Sequence, residues 1–207
     1  MPRFSDLMGK QKVLPIIQTD SEEQGVQIAK AMVAGGVRVV EVVLRTPASL
    51  AALSAIKQQV PELIVGAGTI LDAETLDKAL AAGADFIITP AITPKLLVAL
   101  ESCPVPVIPG VSNTADIALA YEAGYREMKL FPAVLCGGLA FLKAVSSVFQ
   151  DVKFCPTGGV KADNLQDFLA LDNVAAVGGT WLADKNWVSN GSWEQITQAC
   201  LAANQAA

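Results

Sequence analysis

The stretch "REMKLFPA", residues 126–133, reads as a buried strand with Lys129 at its centre. An ammonium is costly to desolvate unless something compensates it. The two-residue period of a strand puts Glu127, Lys129 and Phe131 on one face and Met128 and Leu130 on the other. A polar face of this kind needs an interior to point into. The architecture around this stretch therefore decides its meaning.

On either side, short β-branched runs alternate with longer amphipathic ones. "KVLPIIQ" (12–18) precedes a helix opened by Thr19-Asp20-Ser21 and stopped at Gly35-Gly36. "VRVVEVVLR" (37–45) precedes a helix over 48–60, "LIVGAGT" (63–69) one from Asp72 to Gly83, and "DFIITP" (85–90) one over 93–102. "VPVIPGV" (105–111) leads to a helix ending at Gly124, and "YREMKLFPA" (125–133) to one over 138–149. "VKFCPTG" (152–158) leads to 161–171. "VAAVGGT" (174–180) leads, after a loop, to a last helix over 192–203.

Strands that alternate with helices pair in parallel through right-handed crossovers. Eight such units predict a closed (β/α)8 barrel, and 207 residues lies near that fold's lower limit of ~200. An open doubly wound sheet also alternates, but no GxGxxG follows the first strand. The whole chain, 1–207, is expected to form one domain. In a barrel the outer strand faces are covered by helices, so the Glu127–Lys129 face must point inward. Active sites of such barrels lie at the C-terminal strand ends. Here those ends are rich in chemistry: Glu41 to Arg45, "GAGT", "TP", "PGV", "KLFPA", "PTGG" and "GGT".

Composition narrows the function classes. At 52% hydrophobic and 17% charged, the chain can bury a large core, yet Gly, Pro or a charge interrupts every apolar run short of the ~18 residues a membrane span requires. "MPRFSDLMGKQK" lacks the apolar segment of a signal peptide, which predicts a cytoplasmic protein. Cys103, Cys136, Cys155 and Cys200 are dispersed, without CxxC pairing, and read as reduced thiols. Of these, Cys136 lies in a loop and is the candidate for reactivity. There is no histidine, which removes the commonest metal ligand and general base. Net charge is −5 and the lysines are scattered, so no nucleic-acid partner is expected. Local features must hold any anionic ligand.

Lys129 is the one lysine well inside a strand and near its C-terminal end. In "VVEVVLR", Glu41, Val43 and Arg45 share the inward face of the second strand. One reading is a buried ion network of Lys129, Glu41, Glu127 and Arg45 that only holds itself together. Such networks usually offer no stability over an apolar core. The chemical reading is a lysine in an apolar tube, where desolvation favours the free amine that attacks a ketone to form a Schiff base. A carboxylate must then carry protons, and Glu41 is the inward candidate, with Glu127 next. Arg45 can hold a substrate carboxylate with its two-pronged guanidinium. "CPTGG" and "VGGT" end strands seven and eight, where exposed backbone N–H groups commonly cradle phosphate.

The segments "MVAGGVRVVEVVLRTPASLAAL", "IVGAGTIL", "FIITPAIT", "VPVIPGVS", "KLFPA", "FCPTGGV" and "VGGTWL" cover most of the chain. Together they resemble the class I 2-keto-3-deoxy-6-phosphogluconate (KDPG) aldolases, which often also act on 4-hydroxy-2-oxoglutarate (KHG). The resemblance implies Lys129 as the Schiff-base lysine and Glu41 as a proton carrier acting through a water. Arg45 and Thr157 would hold the pyruvate carboxylate, with Thr69, Pro90 and Phe131 lining that pocket. Gly158, Gly159, Gly179 and Thr180 would bind the distal phosphate of a keto-acid phosphosugar. The resemblance further implies a homotrimer, no metal and no cofactor. Two positions depart from the family pattern: Thr180 stands where serine is frequent, and Cys136 lies in the loop after strand six. Aldolases for the 6-phosphogalactonate epimer share the lysine and the glutamate. A phosphosugar-binding barrel without catalysis is the rival of another class.

Overall fold

The computed structural model describes residues 3–206. It is an α/β fold on a curled, all-parallel sheet. The elements run α1 (Phe4–Met8), β1 (Val13–Ile17), α2 (Glu22–Ala34), β2 (Val39–Val43), α3 (Ser49–Gln59), β3 (Ile64–Gly68) and α4 (Ala73–Ala81). They continue with β4 (Phe86–Ile88), α5 (Pro94–Leu100), β5 (Val107–Ile108), β6 (Gly110–Val111), α6 (Thr114–Glu122), β7 (Glu127–Leu130) and α7 (Gly138–Ser146). The last are β8 (Lys153–Phe154), α8 (Leu165–Leu169), β9 (Val177–Gly179), a 3₁₀ turn (Trp181–Ala183), α9 (Lys185–Ser189) and α10 (Trp193–Ala206).

The strands form one six-stranded order, β5-β4-β3-β2-β1-β9, and one three-stranded order, β6-β7-β8. β5 and β6 are the two halves of the expected fifth strand. Pro109 divides them because it has no N–H to give the ladder. At the other edge, Thr157 and Phe154 make single parallel bridges to Gly178 and Val174.

Polar side chains fix the helix starts: Ser21 accepts from the Gln24 N–H, and Asp72, Thr93 and Asn113 cap α4, α5 and α6 in the same way. Two helices were not expected. α9 occupies the stretch read as a loop, capped by Asp184. α1 has only five residues, too short for its Phe4/Met8 spacing to stand out. No helix of the described residues is long and apolar enough to cross a membrane.

The core has two parts. Outward strand residues such as Val40, Val42, Met128 and Leu130 pack against the helices. A smaller inner cluster gathers Phe4, Met8, Leu14, Val39, Phe86 and Ile108. Phe4 tilts onto Phe86 with ring centroids 5.5 Å apart. α1 therefore sits against the N-terminal end of β7, where Glu127 accepts from the N–H groups of Phe4 (2.8 Å) and Ser5 (3.2 Å). A carboxylate at a helix N-terminus meets unsatisfied donors and the positive end of the dipole.

Candidate active site

β2 and β7 send Glu41 and Lys129 to the inner face, as their period requires, and the two side chains meet. Lys129 Nζ donates to both carboxylate oxygens of Glu41, at 3.0 and 3.2 Å. The pair is almost wholly buried, with 4% of the lysine side chain and none of the glutamate accessible. The Phe131 ring centroid lies 5.5 Å from Nζ, and the peptide joining Phe131 to Pro132 is cis. Lys129 Nζ makes no other hydrogen bond among the described residues. Burial penalises both charges, while each charge stabilises the other. Moving the proton from Nζ to the carboxylate yields a free amine beside its own acid, both neutral.

The four-member ion network does not form. Glu127 shares the inward face but spends its carboxylate on α1, which also removes it as a substitute proton carrier for Lys129. Arg45 is exposed at the rim, and its Nε donates to Thr69 Oγ1 at 3.2 Å. Thr69 is the one non-glycine residue with positive φ among the described residues, at 69°. A β-branched residue there is under strain, a state that concentrates at functional sites.

Cys155, at the end of the β8 segment, lies near the pair. Burial pushes its thiol up to about 12, with Lys129 pulling the other way, so it stays protonated. Thr157 is buried, donates its hydroxyl to the Cys155 carbonyl at 3.3 Å, and occupies the space that a side chain at Gly178 would need. Pro90 packs over Gly110, whose N–H donates to the buried Thr89 hydroxyl at 2.9 Å.

Two cavities open at this rim and share Gln18, Thr180, Ala183 and Lys185. One, of about 420 Å³, is lined by Arg45, Thr46, Asp20 and Gln24 as well. The other, of about 660 Å³, includes Gly159, Val160, Lys161 and Trp181. The backbone N–H groups of Gly159 and Val160 find no acceptor among the described residues. Gly158 and Gly159 hold φ of 94° and 87°, which only glycine adopts without strain. Gly158 and Gly179 do not line either cavity. At Gly179 a side chain would strike the Trp181 ring, so packing alone already requires glycine there. Cys136 is half-buried, packs on the core and lines neither cavity.

Sequence reasoning missed Gln18, Asp20, Gln24 and Lys185. "QTD" ends the first strand at the active rim, and that position was its available signal; it was read only as a helix start. Among the described residues, no three His, Cys, Asp or Glu side chains group as metal ligands.

The family profile described as KDPG and KHG aldolase matches residues 4–199. The 2-dehydro-3-deoxy-phosphogluconate aldolase of Pseudomonas aeruginosa is 45% identical over 94% of this chain and 88% of its own length. The KHG/KDPG aldolase of Escherichia coli strain K12 is 44% identical over 90% of this chain and 87% of its own. The crystal structure of the KDPG aldolase of Legionella pneumophila, with pyruvate captured at low pH as a covalent carbinolamine, superposes with a TM-score of 0.93. It is 39% identical, and 96% of each chain is covered.

Proposed function

Because the chain belongs to the KDPG and KHG aldolase family, we propose that its reaction is carried by the buried Lys129–Glu41 pair, the observation on which the assignment rests. The enzyme is a class I lyase that cleaves KDPG to pyruvate and glyceraldehyde 3-phosphate. Cleavage of 4-hydroxy-2-oxoglutarate to pyruvate and glyoxylate is the second activity, at the same lysine.

The steps follow from the pair. Glu41 accepts a proton from Lys129, and the free amine adds to the C2 ketone to give a carbinolamine. Loss of water leaves a protonated imine. Glu41, through a water, then takes the proton of the C4 hydroxyl; the C3–C4 bond breaks, the aldehyde leaves, and the bonding electrons enter the imine as an enamine. Return of a proton to C3 and hydrolysis release pyruvate and restore the amine.

Arg45, held by Thr69, and Thr157 receive the pyruvate carboxylate, with Pro90 and Phe131 beside it. The unpaired N–H groups near Gly159, with Gly158, Gly179 and Thr180, receive the phosphate, a role the cavity at Gly159 and Thr180 supports.

The finer architecture is the closed (β/α)8 barrel over a single domain, 1–207. The continuity of β5 with β6 and the bridges from the β8 segment to Gly178 and Val174 support it. A homotrimer would cover exposed apolar side chains such as Leu71 and Leu135. Four free thiols suit a cytoplasmic setting.

The test is borohydride reduction in the presence of pyruvate. One pyruvate-derived adduct on Lys129 is expected. An adduct on another lysine, or none, overturns the assignment.

A further inference from the structure

Proton transfer requires the Glu41 carboxylate in one place, and the strand beside it decides whether that place is free. In the parallel register Glu41 stands opposite Gly66, and Val43 opposite Gly68. Positions 66 and 68 of "GAG" therefore lie on the inward face that Glu41 shares. The two glycines make room for different neighbours. A Cβ on Gly66 would run into the Phe86 ring, a fully buried core side chain. A Cβ on Gly68 would fall on Glu41 Oε1 and stand 2.7 Å from Cδ and 2.9 Å from Cγ.

Gly68 is not among the glycines with positive φ. Its backbone would accept any residue, so the requirement is one of space alone. Glu41 is fully buried, and a close-packed interior gives a displaced side chain little room.

We propose that Gly68 is a positioning residue for catalysis: by having no side chain, it lets the Glu41 side chain lie over β3 and present both carboxylate oxygens to Lys129. The inference rests on the assignment of Glu41 as the proton carrier. It separates the two glycines of one short motif, Gly66 serving the inner core and Gly68 serving the chemistry.

The experiment is Gly68→Ala with three readouts: borohydride trapping of pyruvate on Lys129, exchange of the pyruvate C3 hydrogens in D2O followed by NMR, and the separate values of kcat and KM. The adduct should persist while exchange and kcat fall by on the order of 10², with KM little changed. Glu41→Asp, which withdraws the carboxylate by one methylene, should lower kcat in the native background but raise it in the Gly68→Ala background.

Wild-type exchange and turnover in Gly68→Ala overturn the proposal. So do parallel losses of adduct and turnover, or deficits of the two substitutions that simply add. If Gly68→Ala does not fold, the double variant decides: a folded protein that traps pyruvate supports the proposal, and a second failure to fold overturns it. Failure of the underlying assignment reads differently, because Glu41→Gln alone would then exchange and turn over at wild-type rates.

Discussion

Replacing Lys129 by methionine keeps an unbranched apolar stem of similar volume and removes the ammonium group. The result should be a protein both inactive and distinctly less stable. At 3.0 Å, with an effective dielectric of ~20, the ion pair carries about 5 kcal/mol of Coulomb attraction. Its removal orphans a carboxylate that has no accessible surface. Breaking a buried pair in this way costs about 3–5 kcal/mol. For a chain of this size that corresponds to a fall in Tm of roughly 6–20 °C. The informative companion is Lys129→Met/Glu41→Met, which removes both charges at nearly constant volume. It should recover the loss and reach or exceed wild-type stability, by up to about 4 kcal/mol, while remaining inactive. Thermal unfolding followed by circular dichroism in one neutral buffer measures all three proteins. A single variant within about 0.5 kcal/mol of wild type would refute the reasoning, since it would mean that water reaches the pair.

Thr180→Val should raise KM for the phosphorylated substrate and leave cleavage of 4-hydroxy-2-oxoglutarate nearly unchanged, because a hydroxyl bond to a charged acceptor is worth about 1.5–3 kcal/mol; equal effects on both substrates would move the phosphate elsewhere. Glu127→Ala should release α1 and cost about 1–3 kcal/mol of stability while kcat stays near wild type, and a large loss of kcat would restore Glu127 as a candidate proton carrier. Ellman's reagent should label Cys136 first, since Cys103, Cys155 and Cys200 are buried; rapid loss of a second thiol in the folded protein contradicts the packing. Burial pushes Cys155 and Cys200 to about 12 from an ordinary 9.0, and Tyr125 to about 12 from 10.0. Because these folded values are raised, their stabilisation is complete below pH 9 and is lost as the pH climbs toward 12. Stability that stays flat across that window would count against the burial of these groups.

The period of two in "VVEVVLR" and "EMKL" was enough to bring Glu41 and Lys129 to one interior, because a polar residue in a two-sided apolar strand has few places to go. The same period put Glu127 and Arg45 on that face but could not say how high along it each one sits. Glu127 begins β7 and meets α1, while Arg45 lies past the end of β2 and meets Thr69. Height in a sheet depends on the register between strands, which a single strand's pattern does not contain. The break at Pro109 was written in the sequence as a missing donor, but continuity of hydrophobicity across it read as one strand. The double glycines were ambiguous for a third reason. A glycine can serve a positive φ, as at Gly159, or a neighbour's bulk, as at Gly179 against Trp181, and only the neighbour distinguishes the two.

The docking of α1 also settles how the interior communicates with its surroundings. Phe4 and Met8 are buried there, and the space among Phe4, Glu127 and Cys155 has no room for a water molecule. The interior thus has a dry floor beneath the Lys129–Glu41 pair. On the proposed mechanism, substrate, product and the hydrons bound for Glu41 would come from the rim and not through this floor. A substrate seated over Lys129 would then stand between the carboxylate and bulk solvent, and the hydron Glu41 is proposed to take from the C4 hydroxyl would be the one at hand when the enamine carbon needs one. Confinement of this kind would let one acid–base group serve as both halves of an internal relay.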